Sequence, residues 1–143
     1  MNITQKSLLS IGSGVVLACG LTVILVLATV PLSSGSSFAQ KNLPYFILIF
    51  SLLVVAPVTA RRLNHLSGLK KILGWTFIGT GAEFLVLPIS FLFVVESISS
   101  HAGILVTATL FLLSFVIGML AGLTSIVLGI TLIKDNRGKN GRR

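Results

Sequence analysis

The residue types able to do chemistry are few and widely separated in this chain. Its acidic residues are Glu83, Glu96 and Asp135; it has two histidines, His65 and His101, and one cysteine, Cys19. Glu83 stands apart because it lies inside an unbroken apolar stretch, at the twelfth of the 24 positions spanning 72–95. Thr76, Gly79, Thr80, Glu83 and Ser90 recur at intervals of three, four and seven, so a helix here carries one polar stripe. No Lys or Arg lies within any apolar stretch to pair with the acid. A carboxyl group at membrane depth costs about 2.5 kcal/mol or more, and such groups face the bundle interior or a cavity. Desolvation favours the neutral acid, hydrogen-bonded to a hydroxyl or carbonyl of a neighbouring helix. Two readings follow: a structural hydrogen bond between helices, or a proton or cation site made by Glu83, Thr76, Thr80 and Ser90.

The other reactive residues exclude more than they offer. Cys19 has no partner for a disulfide or a Cys-x-x-Cys redox pair, and its expected role is that of a small packing residue. His65 and His101 fall in connections on opposite sides of the apolar stretches, so they cannot share a metal or a haem. No nucleophile–base pair or metal-ligand spacing occurs, and the expectation is a protein with no catalytic residues, cofactor or metal.

These residues are positioned by an apolar chain. Of 143 residues, 54% are hydrophobic and 10% are charged, against roughly a quarter charged in a soluble domain. Four unbroken stretches occupy 8–30, 43–60, 72–95 and 104–133, with lengths of 23, 18, 24 and 30 residues. About 20 helical residues cross a bilayer core, and lipid offers the backbone no partners but its own. The expected fold is all-α: one membrane domain over 1–143, a bundle of four transmembrane helices. Three prolines mark irregularities. Pro44 suits an opening turn of the second span, Pro57 should loosen its last turn, and Pro88 should kink the third.

Eleven basic residues against three acidic give a net charge of +8. Lys6, Arg61, Arg62, Lys70, Lys71, Lys134, Arg137, Lys139, Arg142 and Arg143 fall in the ends and connection on one side; Lys41 alone falls on the other. Short cytoplasmic connections are enriched in Lys and Arg, so both termini, including the basic tail 134–143, are expected in the cytoplasm of a cell-membrane protein. Trp75 and Tyr45 fit as interfacial anchors on opposite sides. The same basic residues should attract anionic lipid at the cytoplasmic face. Nucleic acid is not an expected partner, because 61–71 and 134–143 hold no aromatic side chain on which bases could stack.

At the start of the chain, the 23-residue run is longer than the 7 to 15 residues of a signal-peptide core. The expected state is an uncut first helix. Ser37-Phe38-Ala39 after the Ser- and Gly-rich stretch 33–37 supplies the competing cleavage reading, and Val16-Leu17-Ala18-Cys19 loosely has the form of a lipoprotein acylation box.

Small residues recur every fourth position as Ser10-Gly14-Ala18-Thr22 in the first span, and as Ser114-Gly118-Gly122 and Ala121-Ser125-Gly129 in the fourth. Such stripes let helix backbones approach closely. Their expected use is internal packing, with a homo-oligomer or a membrane-protein partner as the alternative. Ile11-Gly12-Ser13-Gly14 matches Ile78-Gly79-Thr80-Gly81 at an offset of 67, which points to a two-plus-two hairpin repeat. The functional expectation is a non-enzymatic membrane subunit or accessory protein acting through helix packing; the alternative is a small proton- or cation-coupled transporter or channel organised around Glu83.

Overall fold

Runs of Leu, Ile, Val, Ala and Gly that can satisfy their backbones only internally become helices. A computed structural model describes residues 3–33, 38–66 and 68–140, and among these there is no strand. The elements are α1 (Ile3–Ser33), α2 (Phe38–Phe50), a π-helical turn (Ser51–Val55), α3 (Ala56–Asn64), α4 (Leu69–Ala102) and α5 (Ile104–Asn140). α2, the π turn and α3 follow one another without a break, so the described residues form four long helices. Four segments, Ile3–Thr29, Lys41–Asn64, Leu69–Leu92 and Leu105–Asp135, are long and apolar enough to cross a membrane. Their borders fall within a few residues of the expected spans. The stretch from 134, expected as a tail, continues α5 to Asn140. Of the cleavage reading, Ser37 lies outside the described residues, while Phe38 and Ala39 open α2.

Pro44 and Pro57 act differently from expectation. α2 starts at Phe38, so Pro44 lies inside it and does not open it. Pro57 occupies the first turn of α3, and the irregularity falls just upstream of it. Its ring opposes the carbonyl of Leu53 and its nitrogen donates nothing. The preceding turn widens, and the Ala56 N–H donates to the Ser51 carbonyl five residues back. Pro88 lies within the uninterrupted α4, buried, with its ring against Gly118 of α5.

Two glycines make the tight reversals. Gly68 (φ 100°) precedes α4, and Gly103 (φ 79°) alone separates α4 from α5, a left-handed conformation that side chains disfavour. The Gly103 carbonyl then accepts from both the N–H and the hydroxyl of Thr107, at 3.3 and 3.0 Å.

Among the described residues, α1 packs on α2, the π turn and α3 along one side and on α4 along the other, while α5 packs on α4 alone. Among the described residues the helices therefore stand in an open row, with α2–α3 at one edge and α5 at the other. The row is held by small residues. On the α4–α5 seam, a Cβ on Gly81 would lie 2.7 Å from the Gly122 carbonyl oxygen, and a Cβ on Gly122 would lie 2.8 Å from that of Gly81. Gly74 and Gly129 face each other in the same way, and Gly118 meets the Phe84 carbonyl. On the α1 seam, Ser10, Gly14, Ala18 and Thr22 are all buried, and Gly14 abuts the Ala56 carbonyl and Ala60. Side chains as small as these allow the backbones to gain dispersion contacts that lipid tails cannot match. At the open ends, Lys70 at the start of α4 pairs with Asp135 near the end of α5; both are exposed, so the pair contributes about 0–1 kcal/mol.

The seam makes a direct prediction. Gly122→Leu, which must push against the Gly81 backbone, should cost about 1–3 kcal/mol or more in a denaturant titration of the detergent-solubilised protein. Gly12→Ala, at a position with open space around it, should be neutral or slightly stabilising.

Candidate functional site

Glu83 is half-buried on α4 and directed at α1. The absence of a side chain at Gly20 makes room for it: a Cβ there would overlap the Glu83 carboxyl group. The Leu21 backbone amide is the adjacent polar group on α1. Beside the carboxyl lies a cavity of about 260 Å³, lined by Val16, Gly20 and Val23 of α1 and by Thr80, Glu83, Phe84 and Leu87 of α4. Its polar side chains are Glu83 and Thr80.

The remaining members of the polar stripe do not join them. The Thr76 hydroxyl donates to the Ile72 carbonyl at 2.8 Å, and the buried Ser90 donates to Val86 at 3.3 Å. Both follow the back-bonding pattern of hydroxyls in apolar helices, and neither lines the cavity. Gly79 faces α1, where the space a Cβ would take is filled by Leu17. Of the five residues on the stripe, the structure brings Glu83 and Thr80 together at one cavity.

The seam residues of α5 are internal. Gly118, Gly122 and Gly129 are buried against α4. Ser114 is half-buried, donates to the Phe111 carbonyl at 2.8 Å and borders a groove toward α4. Ser125 is half-buried on the same helix. Cys19, expected to pack, is exposed. His65 caps the end of α3, and His101 lies in the last turn of α4. Among the described residues no group of three His, Cys, Asp or Glu side chains could hold a metal ion.

Two features escape sequence reading. Gly20 lies in an unbroken apolar run, and nothing along the chain announces that it faces an acid on another helix. Ser51 is fully buried in the π turn, with its hydroxyl oxygen unpartnered. The nearby Pro57 was the only available signal. One sequence pattern does gain a geometric counterpart. Gly14 and Gly81, the last residues of the two matched tetrapeptides, each abut a carbonyl oxygen of the following span, Ala56 and Gly122 respectively. At the same offset of 67, Val16 corresponds to Glu83 and Gly20 to Leu87, and all four line the cavity.

No family model, characterised protein or solved structure matches this chain. What the site can do must follow from its geometry. One carboxyl, one hydroxyl and an apolar wall can hold a proton or oppose one organic cationic group; they supply too few oxygens for a bare Ca²⁺ or Mg²⁺ ion, which takes six or more.

The Glu83–Gly20 contact is measurable. Gly20→Ala should force the carboxyl to swing toward the cavity. In a double-mutant cycle with Glu83→Ala the two changes should couple by about 0.5–1 kcal/mol; strict additivity in unfolding measurements would show that these residues do not meet.

Proposed function

We propose that this chain is a non-enzymatic multi-pass membrane protein, a subunit or accessory protein that works through helix packing. The supporting observation is the open row. Among the described residues α5 packs on α4 alone and presents Leu112, Leu120, Leu123 and Val127 outward, while α2 exposes Phe46, Ile49 and Phe50 at the other edge. A row two helices wide on each side of its centre leaves both faces and both edges to lipid or to another membrane protein. The glycine stripes are spent internally, so a partner chain or a second copy would meet the large apolar faces. The distribution of basic residues supports placing both termini and the 61–71 connection in the cytoplasm, at a membrane surface bearing anionic lipid.

Purification in mild detergent followed by identification of co-purifying chains tests the packing role. A stoichiometric heteromeric partner is the expected result, and a lone homo-oligomer would overturn the accessory reading. A reporter fused after Arg143 should be active in the cytoplasm; activity only outside would reverse the orientation.

A second reading is favoured by the cavity. The two halves of the chain, α1 through α3 and α4 with α5, meet at α1 and α4, and the carboxyl lies at that joint. Transporters built from repeats place their sites at the repeat interface near the bilayer centre, which supports a proton- or organic-cation-coupled role for Glu83. Glu83→Gln preserves hydrogen bonding and removes the charge. Normal folding with loss of proton-coupled flux in reconstituted vesicles is expected on this reading, and unchanged flux would defeat it.

A further inference from the structure

A second recess, with both apolar and polar walls, lies away from Glu83, where α1, α3 and α4 converge beside the basic connection. It has a volume of about 400 Å³, within the range of small-molecule sites. Leu17 of α1, Leu63 of α3, Leu66 just beyond its end and the Trp75 ring of α4 form its apolar walls, and Arg62 and Thr59 supply the polar groups. The Thr59 hydroxyl is already committed to the Val55 and Ala56 carbonyls, at 2.7 and 3.0 Å. The Arg62 guanidinium and the Trp75 indole N–H are the donors that remain. Both side chains are exposed, and among the described residues neither has a hydrogen bond or ion pair.

The charge around the recess is of one sign. Arg61 precedes Arg62, and Lys70 and Lys71 open α4; the acidic side chain at this end, Asp135, is engaged by Lys70. Glu83 lies at the other cavity, against Gly20. An occupant therefore meets a cation and an indole donor at the rim and leucine side chains below. A free phosphate would satisfy Arg62 and leave the apolar walls unused. A zwitterionic headgroup would bring an ammonium into a rim with no acid to receive it. An anionic phospholipid uses all of the surfaces: its phosphate takes the guanidinium fork, its glycerol region lies at the depth where Trp residues settle, and an acyl chain covers Leu17, Leu63 and Leu66.

We infer that the recess between α1, α3 and α4 is a specific binding site for one anionic phospholipid, with Arg62 holding the headgroup phosphate and Trp75 flanking it. The inference rests on the membrane reading above and sharpens it from diffuse attraction at a basic surface to one built site. Arg61 provides the internal control, since it borders a separate recess with Ser7, Ser10 and Asn64.

The full-length chain, purified in neutral detergent, can be examined by native mass spectrometry with phosphatidylglycerol and phosphatidylcholine of identical acyl chains, and with inorganic phosphate alone. Phosphatidylglycerol should be retained about tenfold more strongly than phosphatidylcholine, the difference expected of one charged hydrogen-bonded contact. Phosphate alone should not compete. Arg62→Gln should abolish the preference, whereas Arg61→Gln should leave it within about twofold, as for an exposed charge outside the contact. Leu66→Trp, which fills the recess without changing charge, should lower retention of both lipids. Equal retention of the two lipids, equal losses from Arg61→Gln and Arg62→Gln, or displacement by phosphate alone would each overturn the site. A chain released from membranes by alkaline carbonate would instead defeat the membrane reading; a chain that stays in the membrane pellet and shows no lipid preference defeats only the lipid site.

Discussion

The backbone of α4 has to lie within van der Waals reach of two neighbours at once. On the α5 side it does so by removing side chains from both partners, as Gly74 with Gly129 and Gly81 with Gly122. On the α1 side the exchange is unequal: Leu17 fills the space at Gly79, and Glu83 fills the space at Gly20. α4 is therefore the element that ties α5 to the rest of the chain, because α5 packs on nothing else among the described residues. In a lipid environment apolar side chains gain nothing by leaving the solvent, and close contact between backbones is what remains to hold helices together. The large leucines and valines of α5 can stay exposed without penalty, and the small residues carry the association.

The number of helices was legible because it depends on one property, the length of an apolar run relative to the bilayer thickness. The ends were less so. Ile3 to Lys6 and the residues after 133 are helical because a helix does not stop where hydrophobicity does; α4 begins just after Gly68 and ends before Gly103, both in left-handed backbone conformations. The seam residues were legible as types. Ser10, Gly14, Ala18 and Thr22, together with Gly118, Gly122 and Gly129, are buried as their spacing required. Cys19 was not, since a single residue in an all-apolar helix carries no record of which face it occupies. With little amphipathic contrast, helix orientation is set by small-residue geometry, and Cys19 is one position away from Ala18, which is fully buried.

The candidate site was half legible. Glu83 declared itself by charge and depth, and Thr80 by spacing. The polar stripe overstated the site because hydroxyls at Thr76 and Ser90 can satisfy themselves against the carbonyl one turn back, which is a local option the spacing pattern does not encode. Gly20 was invisible for the opposite reason: its role is defined wholly by what approaches from another helix. The π turn illustrates the same limit. Pro57 announced an irregularity, but where the strain is absorbed depends on which preceding carbonyl can shift register, and here it was that of Ser51.

The two kinds of joint in the row have different mechanical consequences. The α4–α5 joint and the joint between α1 and α3 each bring glycine or alanine against a facing carbonyl, so sliding either would force backbone atoms into one another. The α1–α4 joint is made of a leucine, a flexible carboxylic acid and an apolar cavity, all of which can readjust by changing rotamers. Displacement within the row is therefore least costly at the joint between the two halves, and that joint is where the buried acid sits. A carboxyl group there changes the energy of separation when it gains or loses a proton: charged, it calls on water or a cation from the cavity as well as on the Leu21 N–H of α1; neutral, it needs an acceptor for its own proton. A structural hydrogen bond and a protonation-controlled hinge are thus two uses of the same contact, and what separates them is whether the cavity opens while the two tight joints stay closed.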